Sequence, residues 1–171
     1  MLEQFEDRLR DYDAHVERTG LADLTGKIGE LLRARGVRRL VIPVGLDEAL
    51  GAALPDGFDF VTDHALPAAE LDRLDGVITA CTVAIAQTGT LILQNVTGQG
   101  RRAPTLVPDY HLCVVREDDV VETVPEAFAK LQSTATLATT FISGPSATAD
   151  IEMTRIKGVH GPRFLDVILI G

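Results

Sequence analysis

The sequence predicts an α/β domain on a mainly parallel sheet with a smaller antiparallel portion. Three observations carry that expectation. A unit of amphipathic helix, glycine and short apolar strand occurs twice, at residues 24–44 and 67–80, as in sheets covered by helices. An alternating stretch with a Thr-Gly turn, TVAIAQTGTLILQN, reads as a hairpin. The 171 residues, 46% of them hydrophobic, suit one domain with a sizeable core.

In chain order, Leu2, Phe5, Leu9, Tyr12 and Val16 recur at spacings of three and four, predicting one helical stripe. Thr19-Gly20 interrupts it. Leu24, Ile28, Leu31 and Leu32 form a second stripe that stops at Gly36. Strands are expected at Val37–Val44, Phe58–Thr62 and in VITA after Gly76, with a short helix at about Pro67–Leu74. The hairpin spans Thr82–Asn95, and a loop with two arginines and two prolines leads to a strand at His111–Glu117. Asp118-Asp119 makes a turn, and a helix begins near Pro125. The segment after TTFISG carries a helical pattern over PSATADIEMTRIKG, and LDVILI closes the chain as a strand.

With 25 acidic against 16 basic residues the net charge is −9, which disfavours the phosphate backbone of nucleic acids but permits a local basic pocket. The charged N-terminus lacks a signal-peptide core, and no apolar run reaches the ~18 residues of a membrane span. Cys81 and Cys113 lie in apolar, strand-like runs and read as buried free thiols of a reducing compartment, so the cytoplasm is the expected location.

Chemistry is expected where strands meet helices. Ser146 or Thr148 fits a helix cap, and with Ser143 and Gly144 these residues also suit a pocket for a carboxylate or phosphate. Asp150 suits the first turn of such a helix or an acid/base role. Glu152, two residues on, cannot share its face. His160, between glycines, suits either a structural turn or an imidazole presented to a cleft. Arg101 and Arg102 follow Gly98 and Gly100 in a loop that suits either solvent or an anion held by a guanidinium fork. Thr88, Gly89 and Thr90 add hydroxyls at the hairpin tip. The four histidines lack metal-site spacing, so no metal is expected. Gly144–Thr148 lacks the second glycine of a serine nucleophile elbow.

Together, AIAQTGTLIL, GQGRRAPTLVPDYHLCVV and SGPSATADIE…GVHGPRFLDVILI resemble the LUD domain of the lactate utilization protein C family, from about Val77 to Ile170. The resemblance implies one domain over residues 1–171, with N-terminal helices in 1–36 packing on it or extending from it. It also implies a Rossmann-like fold akin to the ribose-phosphate isomerase, glucosamine-phosphate deaminase and CoA-transferase group. The implied role is oxidation of L-lactate to pyruvate alongside two iron–sulfur partner proteins, with no cofactor in this chain. Family members often carry a longer N-terminal extension, and the family's AETGT has Gln87 in place of its Glu here.

The leading expectation is therefore a component of lactate oxidation that binds a small anion such as lactate, pyruvate or a phosphate. The alternative is an isomerase or acyl transferase acting on a sugar phosphate or CoA ester through Asp150, Glu152 and His160. A metabolite-binding scaffold is a third reading. All three require Thr88–Thr90, Arg101–Arg102 and Ser143–His160 to converge.

Overall fold

A computed structural model describes residues 1–50, 54–148, 156–157 and 160–171. In chain order the elements are α1 (Leu2–Asp11), β1 (His15–Thr19), α2 (Leu24–Arg35), β2 (Arg39–Ile42), α3 (Leu46–Leu50), β3 (Asp59–Thr62), α4 (Ala68–Leu71) and β4 (Gly76–Ala80). There follow β5 (Val83–Ile85), β6 (Thr90–Gln94), β7 (Tyr110–Arg116), β8 (Val120–Val121), α5 (Val124–Leu131), β9 (Thr139–Ile142), β10 (Ala147–Thr148), β11 (Ile156–Lys157) and β12 (Phe164–Ile170).

Six strands form a parallel sheet in the order β1-β12-β7-β4-β2-β3. Read from β3 to β12, this is the 2-1-3-4-5 order of doubly wound α/β folds, with β1 added at the far edge. The expected hairpin is present: β5 and β6 pair antiparallel within a second, four-stranded sheet ordered β8-β5-β6-β9.

Alternation of side chains along the central strands sorts the core into two faces. Leu40, Ile78, Leu112, Val114 and Ile168 meet Leu24, Ile28 and Leu32 of α2 and Leu46 and Leu50 of α3. Cys113, Val115, Leu165 and Val167 on the opposite face meet Leu91 and Leu93 of the second sheet and Phe5 and Leu9 of α1. The central sheet is thus sandwiched between helices and a second sheet.

Local signals explain two of the helix ends. Gly36 takes the left-handed conformation (φ 68°) that closes α2, its N–H donating to the Arg33 carbonyl. At the start of α5, Glu126 reaches back to accept the Thr123 N–H at 3.0 Å.

Two expectations are corrected. The first helix ends at Asp11, and Asp13 turns the chain with φ 67°. Val16 therefore belongs to β1, where pairing with β12 turns it into the core. Its helical spacing from Tyr12 was coincidental, because a single Val fits either period. Likewise no helix starts at Ser146, since Ala147 and Thr148 pair antiparallel with Lys157 and Ile156. Residues 149–155 lie outside the described residues.

Candidate functional site

In doubly wound sheets ligands usually occupy the crevice at the carboxyl ends of the strands where the order reverses, here between β2 and β4. This chain fills that crevice with its own loop. The Gly98 N–H donates to the Val44 carbonyl at 3.0 Å, and the Ala80 N–H donates to the Gly98 carbonyl at 2.9 Å. A Cβ on Gly98 would stand 2.7 Å from that of Ala49. Gly98 thus lets backbone approach backbone, where the sequence had offered it to a ligand.

The cleft that gathers polar residues lies at the amino ends of β7 and β12, beside the second sheet. It measures about 260 Å³ and is lined by Arg102, His111, Ser143, Ser146, His160 and Leu165, among others. Ser146 ties its two rims together. The Ser146 N–H donates to the Pro162 carbonyl at 2.8 Å, and Ser146 Oγ accepts the His160 N–H at 3.1 Å. His160 is exposed at the rim. Arg102 is also exposed, and its guanidinium has no hydrogen-bond or ion-pair partner among the described residues. The Arg102 carbonyl is fixed by Thr105, whose Oγ1 donates to it at 2.8 Å.

The hairpin tip reaches the cleft only through a relay of hydroxyls. Thr88 Oγ1 and Thr90 Oγ1 are 2.7 Å apart, and Thr90 Oγ1 lies 2.8 Å from Ser143 Oγ. Gly89 packs instead against α1, where a Cβ would come within 2.8 Å of the Arg8 Cβ. Thr88–Thr90 therefore position Ser143 and do not line the cleft. Gln87 is exposed, its N–H donating to the Glu122 carbonyl, and it is not among the residues that line this cleft.

Arg101 does not join the cleft. Its Nε and Nη2 donate to the two Asp63 carboxylate oxygens at 2.7 and 2.9 Å, and Nη2 also reaches the Leu66 carbonyl at 2.6 Å. Burial works to raise the Asp63 carboxyl, but the Arg101 bond and charge and the Leu66 amide outweigh it and hold Asp63 below the usual range. Arg101 is a fork on a carboxylate of its own chain, leaving Arg102 as the cleft's guanidinium among the described residues. Thr148 lies in β10, and Asp150 and Glu152 fall outside the described residues.

His111 is the residue that sequence reasoning passed over as a strand-start histidine. It is 1% exposed, lines the cleft, and places Nε2 at 2.8 Å from Thr79 Oγ1. Burial pushes its pKa down to about 4, so the ring is uncharged at neutral pH. A signal was available. An ionisable side chain at the head of the otherwise apolar run HLCVV has to be desolvated if the sheet is covered on both faces.

Gly144 sets the loop that carries Ser143 and Ser146. Its φ is 82°, and a Cβ there would stand 2.6 Å from the Tyr12 Cβ and 2.9 Å from the Tyr12 carbonyl oxygen. Gly144→Ala is expected to cost about 1–3 kcal/mol from the left-handed backbone, with the contact against Tyr12 adding to it. Urea unfolding checks this: a loss below the lower figure would mean that the loop relaxes freely.

The observed cleft is thus built on backbone turns and hydroxyls, with the Arg102 guanidinium, unpaired among the described residues, and the neutral imidazole of His111. Such a set matches a small carboxylate or phosphate, since charge-assisted bonds to a guanidinium are the stronger kind. Among the described residues, no group of three His, Cys, Asp or Glu is placed to hold a metal ion, and no helix is long and apolar enough to cross a membrane. Cys81 and Cys113 are buried free thiols, as expected.

Comparison with known proteins gives concordant results. The chain is 45% identical over 174 residues to lactate utilization protein C of Deinococcus radiodurans, covering all of this chain and 80% of that protein. It is 33% identical over 97 residues to lactate utilization protein C of Halalkalibacterium halodurans, covering 53% of this chain and 42% of that protein. The crystal structure of a DUF162 family protein from Deinococcus radiodurans superimposes with a TM-score of 0.84 at 40% identity, over 99% of this chain and 96% of that one. The LUD domain family model matches residues 2–170, and with fold and sequence in agreement over almost the whole chain, this protein belongs to the LUD domain family.

Proposed function

We propose that the chain serves lactate utilization by binding a small carboxylate, L-lactate or pyruvate, in the cleft between Arg102 and the Ser143–Ser146 loop. The observation that carries this reading is that Arg102, whose guanidinium has no partner among the described residues, lines a cleft together with Ser143, Ser146 and His160. The names of the relatives supply the metabolic context. The reaction served is oxidation of L-lactate to pyruvate in the cytoplasm.

The electrons released in that oxidation pass to iron–sulfur partner proteins in this proposal. The chain has two cysteines, both buried on or beside central strands, whereas clusters are commonly held by four thiolates. What the chain contributes is anion recognition: a guanidinium for the carboxylate, hydroxyls for its oxygens, and a largely apolar back wall at Leu165.

Calorimetric titration of the chain with L-lactate and pyruvate, alone and with the partner proteins, tests the reading. Arg102→Ala is expected to weaken binding about tenfold or more, since a hydrogen bond to a charged group is worth about 1.5–3 kcal/mol. Arg102 is exposed, so the fold should not change. Saturable binding absent in every combination, or binding indifferent to Arg102, overturns the proposal.

A further inference from the structure

Past Arg102 the cleft adjoins a second cavity that no role described so far requires. It measures about 230 Å³, and its lining shares Arg102, Thr105 and Thr140 with the cleft. Neither compartment alone reaches the roughly 300–1,000 Å³ usual for a small-molecule site, whereas the two together do. The chain carries 25 acidic side chains, yet among the described residues no Asp or Glu lines either compartment. Adjoining cavities with a shared arginine and no carboxylate suit an anionic group in each.

Gln99 supplies the second observation. It lines the new cavity and is 7% exposed. Gln99 Oε1 accepts the Gln94 N–H at 2.8 Å and the Thr82 hydroxyl at 2.7 Å. A backbone N–H only donates, so the atom that meets it is the amide oxygen, and the amide has one possible orientation. Both protons on Nε2 are then without an acceptor among the described residues. Unlike Gln94 Oε1, which is sealed beneath the same wall without a partner, Gln99 Nε2 is not closed off from solvent. The loop holding it is fixed, since the Gln99 and Gly100 N–H groups donate to the Val96 carbonyl at 3.1 and 2.9 Å. A carboxylate at position 99 would accept the same two bonds from Gln94 and Thr82. What the amide adds is a preorganised pair of free donors.

We propose that this cavity is a second subsite, in which the Gln99 amide N–H groups bind the far carboxylate of a dicarboxylic acid whose other carboxylate occupies the cleft. Arg102, common to both compartments, draws the two anionic ends. Each carboxylate oxygen accepts hydrogen bonds, and donors fixed beforehand cost little ordering when it arrives. The inference deepens the anion-binding reading of the cleft and rests on it for the near carboxylate.

L-Malate is L-lactate with a second carboxylate on its methyl carbon, so this pair of acids isolates the subsite. Calorimetric titration of the full chain at neutral pH is expected to show L-malate bound about tenfold more tightly than L-lactate, the value of a hydrogen bond to a charged group. Gln99→Glu keeps an oxygen for the Gln94 N–H and the Thr82 hydroxyl while turning the free donors into an anion. It should abolish the preference for L-malate while L-lactate still binds. L-Malate bound no more tightly than L-lactate by the wild type overturns the inference and leaves the functional reading standing. A preference that survives Gln99→Glu overturns it as well. Binding of L-malate without L-lactate supports the subsite and removes the functional reading, and binding of neither acid removes both.

Discussion

Replacing Arg35 with methionine is expected to cost the fold about 2–3 kcal/mol, less than the roughly 3–5 kcal/mol of a fully buried ion pair, because Asp166 is buried but Arg35 itself is exposed. Asp166 stands on β12 with no solvent exposure. Its carboxylate accepts Arg35 Nη2 on one oxygen, and on the other accepts Arg35 Nε at 3.1 Å and the Tyr110 hydroxyl at 3.0 Å. Arg35 comes from the last turn of α2 and also stacks over Phe164, its guanidinium carbon 4.9 Å from the ring centroid. The hydrogen bond to Asp166 holds the guanidinium well charged, and burial beside that carboxylate pushes the Tyr110 phenol far up. Removing Arg35 leaves an uncompensated carboxylate in the middle of a parallel sheet.

The same argument predicts that removing both charges is milder than removing one. The double variant Arg35→Met with Asp166→Leu should recover much of the loss, because the cost of desolvating both ions disappears with them. Urea unfolding of the two variants checks the sign of the coupling. A single variant within about 1 kcal/mol of the wild type would show that water reaches Asp166 and that the pair is a surface interaction in energetic terms.

Acidification provides the second large effect: His111 alone is expected to remove about 3 kcal/mol of stability between pH 6.5 and pH 4. Its native pKa is about 4, against about 6.5 in the unfolded chain. Above pH 6.5 both states hold a neutral ring, and the contribution is constant. Between the two values the unfolded chain takes up a proton that the native chain refuses, so stability falls as pH falls. Below pH 4 both are protonated and the loss is complete. A gap of about two and a half units at 1.36 kcal/mol each gives the magnitude.

Thr79 bonds this ring and Cys113 lies beyond Thr79, while Arg102 and His160 line the same cleft. Asp63 and Glu6 have native pKa values held below the ordinary range, Glu6 by Arg18 and Arg10 against the opposing effect of burial. Their contribution is present above the unfolded values near 4 and is lost as pH falls below them, outside most of the histidine window. Unfolding free energies of wild type and His111→Leu at several pH values separate the two. The variant should show a flatter profile from pH 6.5 to 4, and a profile parallel to the wild type would assign the proton uptake elsewhere.

Much of the architecture was legible before any coordinates. The second stripe, its Gly36 stop and the strands around VRRLVIPV, VITA, HLCVVR and LDVILI all depend on periodicities and caps within about a dozen residues. They appear as α2, β2, β4, β7 and β12. The hairpin was equally local, fixed by a two-strand pattern and a glycine that the turn accepts at φ 60°. The family, too, followed from short motifs alone. At residues 1–19 the local signal misled, because Val16 satisfied the helix period and only pairing with β12 shows that it is strand.

The site was legible as a set of ingredients and not as an arrangement. Ser143, Ser146, His160 and Arg102 carry their chemistry in their identity, and the cleft does gather them. Which of two adjacent arginines is available was decided by Asp63, 38 residues from Arg101 in the chain. Whether Gly98 faces a ligand or a neighbouring strand was decided by the loop's descent onto Val44 and Ala80. His111 became a cleft residue only when β9, β12 and the Arg102 loop closed around one end of β7. The amino-acid sequence determined the elements, the family and the inventory of groups, because those follow from interactions between near neighbours. The tertiary structure alone decided which groups are paired, which are buried and which remain for a ligand, because partnership and desolvation depend on segments that meet only in the folded chain.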